Sequence, residues 1–132
     1  MRILITSVGG TLTPLLIKHL KNDKQLKGIY VVGIDKRNLK PKDLLLDKFY
    51  KISTANSKNY IRRILNISIK EKINLIVPYS DNEAFKISKK IAFFKKNKIS
   101  VMVNNYSTIK KIINKEKKFN ILKKNNVYLP KF

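Results

Sequence analysis

The 132-residue sequence has no cysteine and no tryptophan, one histidine, four glycines, four prolines and only eight acidic residues. The lack of cysteine excludes a disulfide framework, a thiolate-held zinc, an iron–sulfur cluster and a cysteine nucleophile. The single histidine, His19, leaves a Ser-His-Asp triad or a histidine-rich metal site without support. It lies beside Leu15 and Leu16 with no obvious carboxylate partner, and reads as a helix-boundary residue. Long apolar runs are missing as well: the longest is the six residues from Ile29 to Ile34, with Gly33 inside it, far short of the ~18 needed to cross a bilayer. Ile3-Leu4-Ile5 behind Met1-Arg2 could mimic a leader, but it breaks at Ser7-Val8-Gly9-Gly10 with no small-x-small cleavage site. These absences describe a soluble, cytoplasmic protein.

The scarcity of acid has a counterpart in base. Thirty Lys and Arg give a formal net charge of +22, which raises the question of a nucleic-acid partner, because lysines anywhere on a surface add to phosphate binding. The kind of base argues otherwise. Only Arg2, Arg37, Arg62 and Arg63 are arginine, the side chain that forks best onto phosphates and base edges. The lysines run along the whole chain at spacings suited to solvent-facing helix surfaces, as at Lys18, Lys21, Lys24 and Lys27. Lys, Ile and Asn make up 59 residues, a bias that AT-rich codons produce without selection for a ligand. A basic nucleic-acid-binding module stays open as an alternative, but no nucleic-acid motif accompanies the charge.

The chain has the length of one domain, and 43% hydrophobic residues suffice for a core. Continuous β-branched runs at Arg2–Thr6, Ile29–Ile34, Phe49–Ile52, Ile73–Val77 and Ile99–Val103 predict buried strands. Helices are predicted between them. The first starts near Thr11 or Thr13, either able to cap it, with Pro14 in its first turn and Leu15, Leu16 and Leu20 as its apolar stripe. The second runs from Ser57 to about Lys70 on Ile61, Ile64, Leu65 and Ile69. The third opens with the capping box Ser80-Asp81-Asn82-Glu83 and buries Ala84, Ile87, Ser88 and Ile91. Two more follow, Ser107–Ile113 and Lys115–Lys124, with Asn125-Asn126 as a left-handed stop. Phe85, Phe93, Phe94 and Phe119 fall within these helical patterns and read mostly as core. Strands alternating with helices predict an α/β, Rossmann-like three-layer sandwich with a mostly parallel sheet of about five strands.

In such a sheet, ligands bind beyond the carboxyl ends of the strands. Three loops qualify. Ser7-Val8-Gly9-Gly10-Thr11 lets backbone come close to a ligand but lacks G-x-G-x-x-G, so a tight turn explains it equally well. Asp35 ends the second strand, where a carboxylate can hold a ribose hydroxyl or simply face water. Pro78–Glu83 holds two of the eight acids; capping accounts for Ser80 and Glu83, leaving Asp81 and Asn82 free to face a ligand.

The order of these signals carries a resemblance. Ile3-Leu4-Ile5-Thr6 with Gly9-Gly10, then Val32-Gly33-Ile34-Asp35, Asp47-Lys48-Phe49-Tyr50, Ile76-Val77-Pro78 with Asp81 and Glu83, and finally Asn114-Lys115 ahead of Phe119, Leu122 and Asn126–Pro130, resembles the amino-terminal region of ATP-grasp ligases. The likeness is greatest to proteins of the carbamoyl phosphate synthase large-subunit kind. It implies a pre-ATP-grasp domain over residues 1–113, with 114–132 starting the connection into an ATP-grasp domain. It further implies an enzyme that activates a carboxylate with ATP and magnesium as an acyl phosphate, which an amine captures. Gly9, Gly10, Asp35, Asp81 and Glu83 would face the acceptor substrate, and Lys115 would reach the nucleotide phosphates. No residue of this chain would be catalytic or hold a metal. Where the family has Asp-Lys or Asp-Arg, this chain has Asn114-Lys115, which keeps the cation and alters the residue before it. Because the lid and acidic magnesium ligands of the family lie beyond residue 132, the chain is expected to be inactive alone, a fragment or split subunit whose ATP site is supplied by further domains of the same chain or by a partner subunit. The competing reading is a small nucleotide-sugar- or dinucleotide-binding Rossmann domain of the epimerase type, favoured by the Gly-Gly turn and Asp35. Its Tyr-x-x-x-Lys pair would have to be Tyr106 and Lys110, which sit at a helix start.

Overall fold

The computed structural model describes residues 1–128. Five strands form one sheet: β1 (Arg2–Thr6), β2 (Tyr30–Asp35), β3 (Lys48–Lys51), β4 (Leu75–Val77) and β5 (Ser100–Val101). All neighbours are parallel, in the order β3-β2-β1-β4-β5. β1 lies at the centre, with Leu4 opposite Val32 on one side and Ile76 on the other. This order is that of a doubly wound sheet, and the winding reverses between β1 and β4.

Six α-helices accompany the sheet: α1 (Thr13–Asn22), α2 (Tyr60–Lys70), α3 (Asp81–Ser88), α4 (Ile91–Lys96), α5 (Tyr106–Ile112) and α6 (Lys115–Lys124). Alternation along the strands sorts the core into two clusters, because successive side chains point to opposite faces. Ile3, Ile5 and Val31 pack with Val8, Ile17, Ile29 and Leu46 on the α1 side. Leu4, Val32, Ile34 and Ile76 pack with Tyr60, Ile64, Ile87 and Phe94 on the side of α2 to α4. The expected three-layer α/β sandwich is thus present.

Several local expectations are corrected. Neither Thr11 nor Thr13 caps α1, whose N-cap is Leu12 with no side-chain bond. Thr13 is buried and donates its hydroxyl back to the Ser7 carbonyl at 3.4 Å. The buried stripe of α1 centres on Ile17, while Leu15 is exposed. In α2 the inward residues are Tyr60, Ile64, Leu65, Ile67 and Ser68, with Ile69 outside. That helix starts at Tyr60 because turns between Thr54 and Ser57, and between Ser57 and Tyr60, use the preceding backbone. The single third helix is two: the Ser88 hydroxyl donates to the Phe85 carbonyl at 2.8 Å, competing with the helical ladder, and α4 restarts at Ile91. Of the helical phenylalanines only Phe94 is fully buried, and Phe93 is exposed. The stretch between β2 and β3, read from the sequence as irregular and Pro41-containing, carries a 3₁₀ turn at Pro41–Leu44.

Other expectations hold. Ser80 caps α3 by accepting from the Glu83 N–H, and Asn126 adopts the left-handed conformation (φ 55°) after α6. No helix among the described residues is long and apolar enough to cross a membrane.

Candidate functional site

The carboxyl ends of the parallel strands carry a cleft of about 260 Å³. It is lined by Ser7 after β1, Asp35 to Arg37 at the end of β2, Ile52 to Asn56 after β3, and Ser80, Asn82 and Glu83 after β4. Parallel pairing puts all four of these loops at the same edge.

Glu83 is the centre of the site. Although it lies in the first turn of α3, only 8% of it is exposed. Its Oε2 accepts from Thr6 Oγ1 at 2.5 Å, Ser7 Oγ at 2.7 Å and Ser80 Oγ at 2.8 Å. Its Oε1 accepts from the Tyr60 hydroxyl at 2.7 Å. The proton directions are fixed by the neighbours: Thr6 Oγ1 already accepts from the Tyr79 N–H at 3.0 Å, so its own hydrogen is left for the carboxylate. Burial raises the Tyr60 hydroxyl far above the usual phenol range, and the adjacent carboxylate adds to the rise. The four hydroxyls come from β1, the loop after it, α2 and the loop after β4. Together they tie shut the crevice between β1 and β4, where the winding of the sheet reverses. No cation joins them: the ion pairs among the described residues are Arg2–Glu71, Lys21–Asp47 and Arg37–Asp35.

Asp35 is also committed. Its side chain is 4% exposed; Oδ2 accepts from the Gly9 N–H at 2.9 Å and Oδ1 from the Arg37 N–H at 2.9 Å. The Arg37 guanidinium grips both oxygens, at 3.1 and 3.2 Å. Burial works to raise the Asp35 pKa, but these bonds and the guanidinium charge outweigh it and hold the carboxyl below its ordinary value. The glycine loop is closed on itself in the same way. Val8 N–H goes to the Ile34 carbonyl, Gly9 N–H to Asp35 and Gly10 N–H to the Ser7 carbonyl. A Cβ on Gly9 would collide with the Arg37 guanidinium and come within 2.9 Å of Leu39, so glycine here makes room for an arginine.

Asp35 and Glu83 therefore meet at one cleft; Gly9 and Gly10 do not line it, and Gly9 is tied to it only through its N–H bond to Asp35. Asp81 does not join them. It is exposed and lines a second, smaller groove of about 130 Å³ with Ala84, Ile109, Ile112, Ile113 and Lys118. Asn82 lines the first cleft. Lys115 stands exposed at the start of α6, where Asn114 caps the helix by accepting from the Lys117 N–H at 3.0 Å. Asn114 thus serves as a cap. Arg37, Tyr60, Thr6 and the loop after β3 escape sequence reasoning. Thr6 and Tyr60 read as ordinary strand and helix residues, and their convergence on Glu83 appears only once three elements are in place.

The residues present do not suit a magnesium–nucleotide complex by themselves. Among the described residues no three His, Asp or Glu gather as a metal-holding group, and the amides of Val8, Gly9 and Gly10 are spent internally.

Comparison with known proteins places this geometry. A family model described as "PylC-like, N-terminal domain" matches residues 3–102. No curated protein matches the sequence. Among solved structures, the chain is similar to N5-carboxyaminoimidazole ribonucleotide synthetase from Thermotoga maritima (18% identity, TM-score 0.62, 98% of this chain and 32% of that one). It is also similar to the biotin carboxylase domain of thermophilic 2-oxoglutarate carboxylase (15%, 0.63, 96% and 28%) and to pyruvate carboxylase from Rhizobium etli (16%, 0.64, 99% and 13%). At these identities the likeness is one of fold, and the chain spans less than a third of the length of each. Family match and fold agree with the resemblance carried by the sequence: the chain belongs to the PylC-like N-terminal domains.

Proposed function

We propose that the chain is the acceptor-side domain of an ATP-dependent carboxylate–amine ligase of the ATP-grasp class, acting in the cytoplasm, and that its cleft receives the amine-bearing substrate. Glu83 carries this reading. A carboxylate withdrawn from water ordinarily finds a cation, because leaving it unpaired costs several kcal/mol. In a chain with a formal charge of +22, Glu83 is met only by hydroxyls. Ser7 and Ser80 are partly exposed beside it, and theirs are the hydroxyls an entering ammonium would displace, charge meeting charge in a site of low dielectric. The Gly9-Gly10 turn would act by bracing Asp35 at the rim beside this point, and Asp81, which lines the separate smaller groove, is left out of the acceptor site.

ATP and magnesium would supply acyl-phosphate activation from further domains, in the same chain or in a partner subunit. Residues 1–113 form the substrate-side unit and 114–132 begin the connection, of which 129–132 lie outside the described residues. Lys115, ahead of that connection, would lend its charge to the nucleotide phosphates.

Titration of the ¹⁵N-labelled chain with methylammonium tests the reading. Saturable shifts at Ser7, Tyr60 and Ser80, lost in Glu83→Gln, are expected. Shifts that never saturate, or that persist in Glu83→Gln, would overturn it.

A further inference from the structure

The donor and acceptor groups around the cleft are unequally spent. Both carboxylates are occupied, Asp35 by Gly9 and Arg37, and Glu83 by its four hydroxyls. The donors on the opposite rim are not. Lys36 is exposed and makes no hydrogen bond or ion pair. Arg37 uses its backbone N–H, Nε and Nη2 on Asp35, leaving Nη1 over. Four consecutive cleft-lining residues after β3, Ser53, Thr54, Ala55 and Asn56, give no backbone N–H to a protein acceptor. The side chains of Ser53, Thr54 and Asn56 are equally uncommitted.

We infer that this rim, formed by Lys36, Arg37 and residues 53–56, is a subsite for an oxyanion, a carboxylate or phosphate monoester, borne by the molecule that enters the cleft. The inference rests on the acceptor reading above and adds a second recognition point to it. An oxyanion has only acceptor oxygens and carries negative charge, which suits a rim rich in N–H and O–H donors, with Lys36 as its unpaired cation and the spare Nη1 of the Asp35-bound Arg37 beside it. Successive free amides in a loop form an anion-binding concavity when a cation stands beside them. The glycine loop, the more obvious candidate by sequence, is excluded from this role because its amides at Val8, Gly9 and Gly10 are already bonded within the protein. The cleft thereby becomes two-ended, with Glu83 for an ammonium and the loop after β3 for an oxyanion.

The experiment is an NMR titration of the ¹⁵N-labelled chain with inorganic phosphate and, separately, with acetate, each exchanged against chloride at constant ionic strength. Saturable shifts are expected at the amides of Ser53 to Asn56 and at Lys36, with Gly9 and Gly10 unmoved. Lys36→Glu, at an exposed residue with no partner, should weaken the anion at least tenfold. Lys27→Glu makes the same charge change ahead of β2, at the other end of the sheet, and should change affinity less than twofold. Saturation by phosphate alone assigns a phosphate monoester, by acetate alone a carboxylate, and either outcome supports the subsite. The inference is overturned if neither anion saturates at residues 53–56, if the glycine loop moves in their place, or if Lys27→Glu weakens binding as much as Lys36→Glu. Retained methylammonium binding with no anion binding would overturn this inference alone. Retained anion binding with no methylammonium binding would overturn the acceptor reading and leave the oxyanion site standing.

Discussion

The guanidinium of Arg37 lies in the space that a side chain on Gly9 would occupy, held there by both oxygens of Asp35. Gly9, Asp35 and Arg37 are thus one device spanning the ends of β1 and β2.

Gly9→Ala should cost about 1–3 kcal/mol, the range for forcing atoms into a packed site, measured by urea denaturation. In an Arg37→Ala background the same change should cost less than half as much, since the two nearest atoms, both of the guanidinium, are gone. Equal costs in both backgrounds would show that the two residues act independently.

Tyr60→Phe should lower stability by about 1–3 kcal/mol, because it strips Glu83 Oε1 of its hydroxyl partner without changing the packing volume much. Ser80→Ala removes the α3 cap and a second Glu83 bond and should cost about 1 kcal/mol or slightly more. Asp81→Ala, at an exposed position outside this network, should stay within about 0.5 kcal/mol of the parent.

Stability should depend on pH at both extremes. Glu71 is buried, and the Tyr50 hydroxyl donating to it holds its carboxyl below the ordinary range, against the opposing effect of burial. Asp35 is lowered as well. Carboxyls with depressed folded pKa values stabilise above their unfolded values near ~4 and lose that contribution as the pH falls further. Tyr50 is pushed up to about 12, first by its bond to Glu71 and then by burial. The folded chain keeps this proton while the unfolded chain releases it from about pH 10 upward, so stability falls between about pH 10 and 12. Urea midpoints should form a plateau between these limits, and Tyr50→Phe should shrink the losses on both sides.

The 132-residue chain should show no saturable magnesium–ATP binding in the micromolar range by calorimetry. Lys115 alone supplies charge without enclosure or an organised metal site. A stoichiometric micromolar isotherm would mean that this domain holds the nucleotide by itself.

The centre of the sheet was legible because β1 and β2 are short apolar runs buried on both faces, and such runs announce themselves by composition. The helix interiors were less so. Leu15 and Ile69 are as hydrophobic as Ile17 and Ile67 but lie two residues away, roughly 200° round the helix, and packing against the sheet decides that Ile17 and Ile67 turn inward. The Ser80–Glu83 capping box was visible as a local pattern, and Ser80 does cap, but the Glu83 carboxylate takes hydroxyls where the motif would have it accept a backbone N–H. Thr6 lies 77 residues and Tyr60 23 residues away, and no local period links them. Arg37 was overlooked because, among 30 basic residues, its place two positions after Asp35 reads as an ordinary local pair, and its role emerges only with Gly9 in the loop after β1.

The central position of β1 sets the order in which the fold can close. The first strand of the chain needs Tyr30–Ile34 on one flank and Leu75–Val77 on the other, so both of its edges stay open until residues far along the chain arrive. Pairing across such separations pays loop-closure entropy before any contact returns it, and folding of this kind is slow. During that interval Ile3, Leu4 and Ile5 form an apolar strand with two unpaired edges, the state in which chains join one another. Assembly of this domain is therefore most exposed to aggregation at its own centre, and changes that delay the arrival of β4 should lower the yield of folded protein even where they leave the final structure untouched.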